Sequence, residues 1–226
     1  IKGYPNALKL VERANVFKTE AFKMGCFEVQ DASSQLVADF LEVAPGMKVV
    51  DVCAGAGGKT LHLSALMQNK GSLIAMDIYE SKLKKLKVRA KRNGAHNIDL
   101  RLINSTKPIK KLKEKADRLL IDAPCSGLGV LRRNPDSKWK LKPEFLDKIK
   151  KTQQHILQDY SKILKPGGKM VYATCSVLPS ENQEQIAKFI ASEEGSQFKL
   201  IKEKKIFAHK SGYDGFYMAL LEKPIQ

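Results

Sequence analysis

Two cysteines, each just past a short apolar run, are the residues best placed to do chemistry in this chain. Arg118 to Ile121 leads into Asp122-Ala123-Pro124-Cys125-Ser126-Gly127, and Met170 to Ala173 leads into Thr174-Cys175-Ser176. Short apolar runs bounded by polar residues read as buried strands. In an open parallel sheet, ligands sit outside the carboxyl ends of the strands. If the two strands are neighbours, both thiols face one crevice, and a thiolate there is a nucleophile. The other cysteines are Cys26 and Cys53. No two of the four have Cys-x-x-Cys zinc spacing, and wide spacing without a signal peptide suggests reduced thiols in the cytosol. For Cys26 the expected place is a buried, small apolar site.

A crevice of this kind needs a cofactor cradle, and one precedes it. Lys48 to Val52 reads as a strand, followed by Cys53-Ala54-Gly55-Ala56-Gly57-Gly58-Lys59-Thr60 and a helix from about Thr60 to Met67. A Gly-rich strand-to-helix loop lets backbone approach a ligand and aims free N–H groups at it. A phosphate-binding P-loop would need Gly at Cys53, and a dinucleotide fingerprint begun at Gly55 would need Gly at Thr60; both fail. The loop alone therefore indicates a nucleoside-type ligand. The next strand, Ser72 to Met76, ends in Asp77. A carboxylate there can accept hydrogen bonds from two ribose hydroxyls or can cap the following helix, with Ser81 as the alternative cap. A third strand, Asp99 to Ile103, ends at Asn104, placed to reach an adenine edge.

Further elements form the frame. Residues 1–24 are mixed and basic and read as a linker or the remnant of an N-terminal region, with the main domain spanning 25–226. Gly25 to Gln30 reads as a short strand and Asp31 as the cap of a helix to about Glu42. The helix from Ser81 to Asn93 carries seven Lys and Arg around an apolar face of Leu83, Leu86 and Ala90. The loop from Gly127 to Lys142 holds Arg132, Arg133, Lys138, Lys140 and the single Trp139, which can stack on a base or pack beneath the loop. A long helix from about Pro143 to Leu164 repeats Leu146, Ile149, Gln153, Ile156, Tyr160 and Ile163 at packing spacing. Ser180 and Gln183 match a capping box that opens a helix to about Ser192. Two last strands, near Phe198 to Ile201 and Gly215 to Leu221, close the sheet as an antiparallel edge.

Composition bounds the partners. The 226 residues hold 40 Lys and Arg against 24 Asp and Glu, a net charge of +16. That field attracts polyanions, and nucleic acid is favoured over acidic lipid because no amphipathic anchor with exposed aromatics is evident. No apolar run approaches the roughly 18 residues of a membrane span.

Taken together, these residues resemble the RNA cytosine-5 methyltransferases of the Sun/Nop2, RsmB-like family. The resemblance runs from about Gly25 to Lys223. It is carried by Val29-Gln30-Asp31-Ala32-Ser33-Ser34, the Gly-rich loop, the Cys125 and Cys175 motifs, Arg132-Arg133-Asn134-Pro135-Asp136 and Tyr213-Asp214-Gly215-Phe216. It implies an α/β fold of Rossmann-like type, a mostly parallel seven-stranded sheet with helices on both faces and an antiparallel last strand. It implies S-adenosylmethionine as cofactor, with no metal. By position, Cys53, Ala54, Gly55, Ala56, Gly57, Gly58 and Lys59 hold the methionine part, Asp77 the ribose and Asn104 the adenine. Asp122 lies between cofactor and base. Ala56 stands where the family commonly has Pro, which would loosen the loop, and Asn104 where it often has Asp.

The resemblance also implies the reaction. Cys175 adds to carbon 6 of a cytosine, carbon 5 then takes the methyl group, and Cys125 assists breakdown of the adduct. Cationic surroundings should favour the thiolate. The base must leave its stack, so a single-stranded or opened segment of ribosomal or transfer RNA is the expected substrate of a cytoplasmic monomer. Two alternatives are a DNA cytosine-5 methyltransferase, which does not need the second cysteine, and a non-catalytic RNA-binding scaffold, which does not need an intact cofactor loop.

Overall fold

The computed structural model describes residues 1–225. In chain order the elements are α1 (Glu20–Lys23), α2 (Ala32–Phe40), β1 (Lys48–Asp51), α3 (Gly58–Leu66), β2 (Ser72–Asp77), α4 (Glu80–Arg92), β3 (Ile98–Leu102) and α5 (Lys107–Lys110). There follow β4 (Ala116–Asp122), α6 (Ser137–Lys140), α7 (Pro143–Tyr160), β5 (Leu164–Thr174), α8 (Gln183–Ile190), β6 (Lys199–Ile206), α9 (Ala208–Ser211) and β7 (Phe216–Glu222). They build one seven-stranded sheet in the order β3-β2-β1-β4-β5-β7-β6. The strands β1 to β5 pair in parallel, and β7 inserts antiparallel between β5 and β6. The expected α/β fold with an antiparallel last strand is the fold observed.

Side-chain alternation along the strands explains the layering, since successive residues face opposite sides of a sheet. Val50, Ile74, Leu119, Ile121 and Tyr172 enter one core, together with Ile156 and Leu157 of α7 and Ile186 and Phe189 of α8. Their neighbours Val49, Leu73, Leu120 and Val171 enter the opposite core, against Val37 of α2 and Leu63 of α3. All four central strands are therefore buried on both faces, which is why they read as continuous apolar runs. The sheet order reverses between β1 and β4, so a crevice opens at their carboxyl ends. At the far edge, β6 exposes Lys199, Lys202, Lys204 and Lys205.

Several expectations need correction. Gly25 to Gln30 pairs with no strand. It lies along the end of α4 instead, where Glu28 accepts hydrogen bonds from Arg89 at 3.0 Å and Asn93 at 2.6 Å and pairs with Arg92. Two of the seven cations of α4 are thus half-buried partners and not a solvated face. Cys26 is exposed, although Gly25 beside it packs on the backbone at the end of α4. Ser180 does not cap α8: it sits in a 3-10 turn, Pro179–Glu181, and its carbonyl is taken by Gln185 Nε2 at 2.8 Å. α7 ends at Tyr160, and Ser161–Ile163 is a 3-10 turn. No helix among the described residues is long and apolar enough to cross a membrane.

Candidate active site

The cofactor loop is held from three sides. Ala54 N–H donates to Met76 O at 2.9 Å, Gly55 N–H to Asp77 Oδ2 at 2.9 Å, and Arg89 Nη1 to Ala56 O at 2.7 Å. The last contact anchors the loop at the position where a Pro was expected, so Ala56 does not leave it loose. Gly57 has φ +90°, and a Cβ there would lie 1.8 Å from Leu86 Cδ1, so only glycine fits between loop and α4. The loop and the start of α3 wall a cleft of about 220 Å³ lined by Cys53, Ala54, Gly55, Ala56, Gly58 and Lys59, with Asp51, Asp122, Gln30 and Ser34 opposite.

Asp51 is the buried acid of this cleft. Its Oδ2 accepts from Thr60 Oγ1 at 2.7 Å, while Oδ1 is buried with no partner. Burial, only partly offset by the Thr60 bond, pushes its carboxyl up to about 7. The Cys53 thiol is pushed well above the usual range by burial and by the Asp51 charge, so it stays protonated. Lys59 donates to Asp122 Oδ2 at 2.7 Å beneath the Phe216 ring. Burial opposes its charge, but the Asp122 carboxylate outweighs that and holds Lys59 above an ordinary lysine.

Beside this ion pair lie the two thiols. Asp122 pairs in register with Ala173, and Ala123 N–H donates to Ala173 O at 2.8 Å, so β4 and β5 release their tips at the same level. Cys125 Sγ and Cys175 Sγ are 3.4 Å apart. The contact splits their acidities. The Cys125 hydrogen bond lowers Cys175 below an ordinary thiol, against burial and the Asp122 charge, with Lys59 helping. The same contact, and then burial, raise Cys125 well above its usual range. Cys175 is therefore the more acidic thiol of the two. The expected cationic help is real but secondary to the partner thiol.

Polar residues that the sequence reading placed elsewhere hold this pair. Gln153, expected among packing residues, donates from Nε2 to Pro124 O at 2.9 Å. Asn182 accepts from Thr174 Oγ1 at 2.5 Å and donates to Ser176 O at 3.0 Å. Glu181, wholly buried, meets Ser126 and Ser176. Gly129 N–H donates to Cys175 O at 2.8 Å and Gly215 N–H to Gly129 O at 2.7 Å. Asp214 pairs with Arg133 and takes its own N–H to Asp31 Oδ1 at 3.3 Å, which joins three of the quoted motifs. Gln30 Nε2 donates to Ser34 Oγ at 2.9 Å on the cleft wall.

Among the named residues, Cys53 to Ala56, Gly58, Lys59 and Asp122 share the cleft, with Cys125 and Cys175 next to Lys59 and Asp122. Asp77 stands behind the loop. Its carboxylate accepts from Gly55 N–H at 2.9 Å and from Tyr79 N–H at 2.8 Å, so it braces the loop, and α4 begins with no side-chain cap. Asn104 is exposed just past the end of β3, and among the described residues its side chain makes one hydrogen bond, accepting from Ser105 Oγ at 3.5 Å. Gly57 packs on α4 behind the wall. Asp51 and Glu181 were given no role, Gln30 and Ser34 entered only within a quoted motif, and Gln153 was read as a packing residue. Asp51 carried a usable signal, an acid closing an apolar strand directly before a Gly-rich loop.

The sequence matches the family "16S rRNA methyltransferase RsmB/F" over residues 38–222. It is 37% identical over 228 residues to the ribosomal RNA small subunit methyltransferase B of Yersinia enterocolitica, covering 97% of this chain and 52% of that protein. It is 35% identical to the probable enzyme of that name from Bacillus subtilis, covering 96% of this chain and 52% of that protein. The chain thus spans about half the length of these curated relatives. Among solved structures, NSun6 from Pyrococcus horikoshii with SFG superposes with a TM-score of 0.84 at 29% identity, covering 95% of this chain and 57% of that one. A methyltransferase homologue from the same organism gives 0.82 at 27%, covering 94% and 73%.

Proposed function

The chain belongs to the RsmB/F family of 16S rRNA methyltransferases, and on that premise we propose that it methylates carbon 5 of a cytosine in RNA through a covalent Cys175–cytosine adduct. The observation that carries this reading is the 3.4 Å contact between Cys125 Sγ and Cys175 Sγ at two adjacent strand tips. A single nucleophile would need no second thiol.

The cleft fits S-adenosylmethionine. Asp51 Oδ1 is a buried carboxylate oxygen without a partner, suited to an ammonium, and the loop glycines leave room for close backbone approach. Residues 53–59 and Asp51 would hold the methionine end, with Asp77 and Asn104 toward the nucleoside. The similar NSun6 structure was solved with SFG, an S-adenosylmethionine analogue. When bound, this cofactor supplies an electrophilic methyl group.

Each step then belongs to residues of this chain. Cys175 sulfur forms a bond to carbon 6 of the base, and the electron pair of the 5,6 double bond moves to carbon 5, which becomes the nucleophile. Asp122, paired to Lys59, faces the ring nitrogen and amine and favours the adduct. After methylation the hydrogen on carbon 5 passes as a proton to a solvent base, and its bonding pair re-forms the 5,6 double bond. The carbon–sulfur pair returns to Cys175, and Cys125 assists this elimination. RNA is the substrate we assign, small-subunit ribosomal RNA before transfer RNA, by the names of the relatives. The exposed segment 131–142, with Trp139 81% exposed beside Arg132, Lys138 and Lys140, fits a single strand better than a duplex. We also assign residues 25–226 as the methyltransferase domain, residues 1–24 as a connecting segment, and a cytoplasmic monomer as the working form.

Denaturing electrophoresis after incubation with an RNA fragment and S-adenosylmethionine tests this. Cys125→Ala should accumulate a covalent protein–RNA species, and Cys175→Ala should give neither adduct nor methylation. An adduct retained in Cys175→Ala and lost in Cys125→Ala would overturn the assignment.

A further inference from the structure

Glu181 is buried at 0% exposure in the turn before α8, and among the described residues no Lys, Arg or His forms an ion pair with it. Burying a lone carboxylate costs several kcal/mol unless donors surround it. Here four do. Oε1 accepts from Ser126 N–H at 2.8 Å and Gln153 Nε2 at 3.1 Å. Oε2 accepts from Ser126 Oγ at 2.5 Å and from Ser176 Oγ. The two hydroxyls also meet each other at 3.1 Å, and the Glu181 carbonyl is fixed by Tyr172 OH at 2.8 Å.

The source of these donors matters. Ser126 directly follows Cys125, and Ser176 directly follows Cys175. Gln153 holds the carbonyl just before Cys125 as well as the carboxylate. One side chain thus ties both Cys-Ser turns, which come from strands 50 residues apart in the chain. We propose that Glu181 is a positioning residue that clamps the two Cys-Ser turns together and so sets the contact between the thiols.

The clamp touches neither sulfur, yet its failure reaches both. Without it, the two turns keep their own strands, the Gln153 bond to Pro124 O and the Gly129 and Asn182 contacts, but lose the one side chain that binds both serines. The sulfur–sulfur hydrogen bond then lengthens, and Cys175 loses the largest influence that makes it acidic. The Glu181 charge also lies near Cys125. After the Cys175 bond and burial, it is a further reason that Cys125 keeps its proton.

This inference rests on the proposed reaction, but its primary test needs no RNA. In a Cys26→Ser background, alkylation of Cys175 by iodoacetamide is followed against pH, with the modified cysteine identified by peptide mass spectrometry. Glu181→Gln replaces one acceptor oxygen by a donor aimed at two hydroxyls. It should move the Cys175 alkylation midpoint to higher pH and slow adduct formation about 100-fold, the scale of a misplaced reacting group. Calorimetric affinity for S-adenosylmethionine should stay within about twofold, because the cofactor loop is untouched. The double change Ser126→Ala and Ser176→Ala should reproduce the shift. Combined with Glu181→Gln it should add almost nothing, as expected of groups acting through one contact.

An unchanged alkylation profile in folded Glu181→Gln, or full additivity with the serine changes, would overturn the clamp. If Glu181→Gln does not fold, the serine pair alone carries the test by the same midpoint shift. A wild-type chain that alkylates as described but never methylates RNA would overturn the proposed reaction and leave the clamp standing.

Discussion

Asp51 shows at the residue scale how one buried acid ties stability to pH. Its carboxyl titrates at about 7 in the fold, against about 3.9 in an unfolded chain. The folded state therefore holds this proton more tightly. The contribution to stability is complete below about pH 4 and is lost as pH rises through 7. Thermal melts of the ligand-free protein should fall over that window, and Asp51→Asn should flatten the fall. An equally steep decline in the variant would contradict the assignment. Cys175 has the opposite displacement, a lowered value whose first cause is the Cys125 thiol. Alkylation of Cys175 in Cys125→Ala should consequently require higher pH, so the adduct that this variant traps should also form more slowly.

Loops and turns matter most at the element scale. A Cβ on Gly129 would lie 2.1 Å from Gly215 O and 2.7 Å from Cys175 O, both backbone atoms that cannot swing away. Gly129→Ala should push Cys175 off its strand tip and lower adduct formation about 100-fold, with cofactor binding intact by calorimetry. Trp139 is the single tryptophan, so tryptophan emission, excited selectively over that of the six tyrosines, reports on segment 131–142. Single-stranded RNA should quench it if bases stack there, and titration without quenching would place the RNA elsewhere. This scale also separates what was legible in the sequence from what was not. Strands β1, β2, β4 and β5 were visible because burial on both faces leaves unbroken apolar runs with a polar residue at each tip. Asp122, Cys125 and Cys175 were found by that punctuation. Glu181 and Gln153 were not, because their partners lie 55 and 29 residues away and a lone polar residue in a turn or helix carries no local sign of such a partner. Gly25 to Gln30 misled for a related reason: an ion cluster with α4, over 60 residues distant, holds it and not a neighbouring strand.

Over the whole molecule, the charge of +16 is spread over many exposed lysines, among them those of α4, β6 and segment 131–142. Binding of single-stranded RNA should weaken steeply with salt. A complex that neutralises about six phosphates would give a slope near −4 in log K against log salt, and a flat response would argue against backbone contacts. S-adenosylmethionine binding should be nearly insensitive, because Asp51, Lys59 and Asp122 are enclosed within the fold.

The last strand of the sheet has its own consequence. β6 offers an open row of peptide groups on its outer side, a template on which another chain could extend the ladder. Its four lysines repel any such visitor. Replacing them with glutamine should therefore turn a well-dispersed solution turbid at low salt, as molecules join rim to rim, even though nothing in the crevice at the strand tips has changed.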